Sequence, residues 1–134
     1  MEFFRIIEVK STENQLQQFL TFKNINDIIE SLFVIDFEKN TANITGIWEE
    51  FTLKRDEIKG GVRFALIECP NALAWTITTG FPPVREHIVI HLTINRAEKE
   101  QQFIDELTAF LEDWQQGLSK FLANQPEELL KTSS

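Results

Sequence analysis

The chain of 134 residues carries 43% apolar and 25% charged side chains, a single cysteine and a net charge of −8. Such a length and apolar share suit one domain with its own core, and no stretch approaches the roughly 18 unbroken apolar residues of a membrane span. The lone Cys69 excludes an internal disulfide and a cysteine-based zinc site, which agrees with a reducing compartment.

Charge is uneven along the chain. Residues 1–53 hold 9 acids and 4 bases, residues 54–96 hold 4 and 6, and residues 97–134 hold 8 and 3. An acidic protein repels a phosphate backbone. Nucleic-acid binding would need the middle block to gather Lys54, Arg55, Lys59, Arg63, Arg85 and Arg96 on one face.

The opening "MEFFRIIEVK" lacks the charged leader and cleavage site of a secretory signal, so a cytoplasmic protein is expected. Within it "FFRIIEV" alternates imperfectly and allows an edge strand. In "STENQLQQFLTF", Thr12 and Gln15 have capping-box spacing, and Leu16, Phe19 and Leu20 give the stripe of a buried helix face. "NIND" (24–27) breaks that helix, and a short second turn follows through Ile28 and Ile29.

From Leu32 the apolar period becomes two, with more β-branched and aromatic residues. Five consecutive strands are predicted, over 32–38, 44–53, 62–68, 72–79 and 87–95. The links "EKNT", "RDEIKGG", "CPN" and "GFPPVR" are short, which implies antiparallel neighbours, since a parallel crossover needs a dozen or more residues. Asn95 and Glu98 then cap a long amphipathic helix over 97–123, striped by Phe103, Leu107, Phe110, Trp114, Leu118 and Phe121. Gly117 inside it permits a bend, and Pro126 ends it before a tail, 126–134, expected to be mobile. The predicted fold is therefore α+β, with one domain over 1–125. A five-stranded antiparallel meander carries an N-terminal helical segment and a long C-terminal helix on its oily face.

The only two histidines, His87 and His91, stand four apart in "REHIVIHLTIN". On a helix that spacing grips a metal; on a strand it spans about 13 Å, too far for one zinc ion with ligands at about 2 Å. Alternation here favours a strand, with Ile88, Ile90, Leu92 and Ile94 on one face and His87, Val89, His91 and Thr93 on the other. Leu73, Trp75 and Ile77 likewise oppose Ala74, Thr76 and Thr78, and Val62, Phe64 and Leu66 oppose Arg63, Ala65 and Ile67. One sheet face is thus oily and the other mixed. Arg63, Thr76, Thr78, His87, His91 and Thr93, with Phe81 at a loop tip, form the candidate partner or ligand surface. No catalytic residue, cofactor site or metal site is predicted.

Other candidate chemistry is weaker. A Cys69/His dyad is the one nucleophilic pair available, and cysteine before proline in a turn is more often structural. Glu49 and Glu50 are neighbours on opposite faces of a strand, so they cannot act as a close pair.

In topology, the strand run followed by one long helix resembles the helix-swapped dimeric sheets of single-stranded DNA-binding regulators. That resemblance implies a dimer that binds single strands. Size and acidity also resemble the secretion chaperones, acidic dimers that clasp extended partners, although these carry a helix among their strands and none is found here.

A helix over 97–123 extends about 40 Å, whereas five strands span about 20 Å, so the stripe is expected to overrun its sheet. A homodimer then follows, with Trp114, Leu118, Phe121 and Leu122 at the contact. The expected function is a non-catalytic binding protein, an adaptor, regulator or chaperone-like partner of a second, basic protein. The alternatives are a nucleic-acid-binding regulator and a small-molecule binder or enzyme using Arg63, Cys69 and a histidine.

Overall fold

The structure, a computed structural model, describes residues 1–68, 72–95 and 100–125. Its elements are β1 (Glu2–Ile7), α1 (Glu13–Phe19), α2 (Phe22–Ile28), β2 (Leu32–Glu38), β3 (Thr41–Gly46), β4 (Phe51–Ile58), β5 (Gly61–Leu66), β6 (Ala74–Thr79), β7 (Ile88–Thr93) and α3 (Gln101–Ala123). Among the described residues the strands form one seven-stranded antiparallel sheet in the order β1-β7-β6-β5-β4-β3-β2.

The class is α+β, but a five-stranded meander is not what forms. Two changes account for the difference. First, residues 44–53 do not make one strand. The chain leaves the sheet after Gly46 and returns at Phe51, and Glu49 takes a left-handed φ of 68° in the turn. Gly46 is needed there because the Ser31 carbonyl sits where a β-carbon would be. Ile47 and Trp48 hide this turn from a periodicity reading, since Trp48 is apolar for a packing reason: its ring lies against Phe110, centroids 4.9 Å apart. Second, β1 joins the sheet at the far edge, pairing with β7 from Glu2↔Thr93 to Ile7↔Ile88. Much of the predicted "RDEIKGG" link is also strand, because β4 runs on to Ile58 before the turn at Lys59 and Gly60.

The N-terminal helical segment is two helices. Thr12 caps α1 by accepting from the Gln15 N–H at 3.1 Å. The break falls at Leu20 and Thr21, while "NIND" lies inside α2. Arg55, on the inner side of β4, donates from Nε to the Leu20 carbonyl at 2.6 Å and from Nη2 to the Gln17 carbonyl at 2.8 Å, satisfying the end of α1 with a cation.

All three helices lie on one sheet face. Leu107, Phe110, Leu111, Trp114, Leu118 and Leu122 of α3 are buried there, with Trp114 packed on Phe64 at 5.8 Å and on Trp75 at 6.2 Å. The helix is continuous through Gly117, which has no room for a β-carbon because the Ile28 carbonyl of α2 occupies that space. Its cap residue is Glu100. The expected capping partner Glu98 and the tail 126–134 lie outside the described residues.

Candidate binding surface

Antiparallel register lines up the residues of the other, helix-free face. Phe4 pairs with His91, His91 with Thr76, Thr76 with Arg63 and Arg63 with Asp56, one row across five strands. A parallel row holds Ile6, Val89, Thr78, Gly61 and Ile58. Thr93 falls in a third row beside Glu2 and Ala74. Sequence alternation therefore placed Arg63, Thr76, Thr78, His91 and Thr93 on one face, and the structure brings the first four close together.

Thr76, Thr78, Phe81 and His91 line a hollow of about 330 Å³ with Phe4 and Val89, and Lys59 stands at its rim. The His91 ring stacks on Phe4, centroids 4.4 Å apart and 6° from parallel, and its Nε2 is 3.0 Å from Glu2 Oε1. Phe81 lies over Gly60, whose φ of 89° and lack of a β-carbon admit the ring. His87 precedes β7, and its carbonyl accepts from the Thr79 hydroxyl at 3.2 Å. Neither His87, Arg63 nor Thr93 lines the hollow. Cys69 lies outside the described residues. Among those described, no group of three or more His, Cys, Asp and Glu side chains is arranged to hold a metal.

A second hollow, of about 410 Å³, opens where β3 and β4 part beside β2. Asp36, Glu50 and Glu68 line it. Glu68 accepts from the Thr52 N–H at 2.6 Å and from the Thr52 hydroxyl at 3.0 Å, and these bonds hold its carboxyl below the usual carboxylate range. Asp36 Oδ1 accepts from Asn43 Nδ2 at 2.7 Å. Ile35, which lines the hollow, is 49% exposed, and Phe33 on β2 and Ile67, whose N–H bonds the Thr52 carbonyl, are each 54% exposed, an apolar display that a solvated sheet does not need.

Reading for chemistry at the histidines missed this second surface. The signal was present in "LFVIDFE", where apolar residues occupy both faces of one strand. The bulge between Val34 and Asp36 then shifts the alternation, so that Asp36 follows Ile35 onto the exposed side beside Asn43.

Side chains occupy part of the hydrogen-bonding rim of both sheet edges. On β2 the Asn26 amide holds the outward N–H and C=O of Val34. On β1 the Phe4 carbonyl accepts from Arg5 Nη1 at 2.9 Å and the Ile6 carbonyl from Gln115 Nε2 at 2.8 Å. A partner meets fewer obstacles on the open face than along either edge.

The helix residues expected at a subunit contact are placed otherwise. Trp114, Leu118 and Leu122 are buried within their own subunit, and Phe121 is partly buried, edge-on to Phe19 at 5.9 Å. The stripe from Leu107 to Leu122 is covered within the subunit, by a sheet that seven strands widen to about 29 Å and by α2 packed alongside α3. The middle-block bases do not share a face either: Arg55 points inward to α1, while Arg63 stands outside. No helix among the described residues is long and apolar enough to cross a membrane.

No family model matches this chain, and no curated protein matches it. Similar solved structures include an uncharacterised protein from Bacillus thuringiensis, with TM-score 0.54 and 10% identity over 87% of this chain and 97% of that one. They also include the protein XoxI from Bacillus cereus, with TM-score 0.55 and 10% identity over 98% of this chain and 94% of that one. At this identity they show a shared fold and nothing about activity.

Proposed function

We propose that this protein is a non-catalytic binding protein whose open sheet face, on the β2 side, holds a basic partner protein. The observation that carries the reading is the second hollow, where exposed Ile35 lies with the carboxylates of Asp36, Glu50 and Glu68, on a face that also exposes Phe33 of β2 and Ile67 after β5. Apolar groups supply contact area, and prepositioned acids select a cationic partner and steer its approach. A second copy of this chain is a poorer occupant of the same surface, since a twofold contact there would face acid with acid.

The test is affinity capture from the native cell with wild type, a Phe33→Ser/Ile67→Ser variant and a Glu68→Gln variant. Recovery of one basic protein is expected with wild type, weakened by salt and by Glu68→Gln, and lost with the double variant. Capture of an acidic protein, equal recovery by the double variant, or no recovery with wild type would overturn the reading.

A further inference from the structure

We infer that the hollow around Thr78 is a binding site for a small ring compound bearing one carboxylate. The inference uses a different part of the open face from the proposed partner surface and does not depend on it. Thr78 is only 8% exposed although no helix covers its face, because the loop carrying Phe81, the turn beside Ile58 and the neighbouring Val89 enclose it. Its hydroxyl has no protein hydrogen-bond partner among the described residues, and it is not sealed from solvent, so it opens on the hollow. A group in that state, lining a hollow, suits a ligand atom that completes it.

The walls define the rest of the ligand. Phe4, stacked on His91, lines the hollow together with Phe81, Pro82, Val89 and Ile58. A volume of about 330 Å³ lies at the small end of ligand pockets and suits a single ring. Charge fixes the sign. Lys59, the charged side chain among those lining the hollow apart from the histidine, makes no ion pair among the described residues, while the nearby Glu2 carboxylate lies 3.0 Å from His91 Nε2. A ring lying against these apolar side chains can place a carboxylate at Lys59 and a polar substituent at Thr78.

The probe is 4-hydroxybenzoate, added to the full chain and followed by amide NMR, with benzyl alcohol as the uncharged ring and butyrate as the anion without a ring. Saturable shifts are expected at Thr76, Thr78, Val89 and His91 with 4-hydroxybenzoate, and much weaker ones with either control. Thr78→Val, which keeps shape and removes the hydroxyl, should weaken binding about fivefold, and Lys59→Met by a similar factor. The Phe33→Ser/Ile67→Ser variant should bind the probe as wild type does, which separates this site from the partner surface. Absence of saturable shifts, equal response to benzyl alcohol, or unchanged affinity in both Thr78→Val and Lys59→Met would overturn the inference.

Discussion

The side-chain amide of Asn26 donates to the Val34 carbonyl at 3.1 Å and accepts from the Val34 N–H at 2.7 Å, taking the place that a further strand would occupy beside β2. Helix α2 thereby closes the edge of a strand that exposes Phe33, Ile35 and Phe37. Edges of that composition recruit other chains unless they are blocked. Asn26→Ala should therefore lower stability by about 1–2 kcal/mol and raise self-association. Urea unfolding with light scattering checks both; a variant as monodisperse as wild type would show that the edge needs no such guard.

Gly117→Ala should destabilise the fold, against the helix propensity that favours alanine by about 1 kcal/mol. The Ile28 carbonyl occupies the space of the new methyl, so α2 and α3 must separate. Overpacking costs of about 1–3 kcal/mol offset the propensity gain, for a net loss of up to roughly 2 kcal/mol. A raised unfolding midpoint would show that the helices part at little cost.

Trp114 contacts Phe64, Trp75 and Phe110 in the centre of the core. Trp114→Ala should cost about 3–5 kcal/mol. Phe121→Glu, next to Phe19 at the end of α3, should also reduce stability while leaving the molar mass by light scattering as in wild type. A change of mass without loss of stability would instead place Phe121 at a subunit contact.

Glu68 should titrate below the usual carboxylate range, because the Thr52 N–H and hydroxyl both favour its charged form. With a folded value depressed below the unfolded one, its contribution is complete above the unfolded pKa and is lost as pH falls through the folded value. Carboxyl NMR titration should show Thr52→Val moving Glu68 part of the way back up, the backbone bond remaining. An unmoved Glu68 would mean the hydroxyl contributes nothing.

Much of the sheet was legible along the chain. Alternation sorted Val62, Phe64 and Leu66 from Arg63 and Ala65, and Ile88, Ile90 and Leu92 from Val89 and His91, because neighbours on a strand point to opposite faces whatever lies beside them. Thr12 announced its cap for an equally local reason, a side chain reaching a backbone N–H three residues on. The same reasoning put Thr76, Thr78 and His91 together on one face, and it could go no further than the face.

Tertiary structure decided the strand count, the sheet edges and the hollows. Trp48 reads as strand because it is apolar, yet it is apolar to pack on Phe110 of a helix far along the chain. Glu2 and Phe4 meet His91 only because β1 crosses to the edge beside β7, and Asn26 closes β2 only because α2 lies against it. A one-dimensional pattern records which side of its own strand a residue occupies. Which distant residue comes to stand beside it depends on how all the elements share a single core, and the surfaces proposed here for binding are built from such distant neighbours.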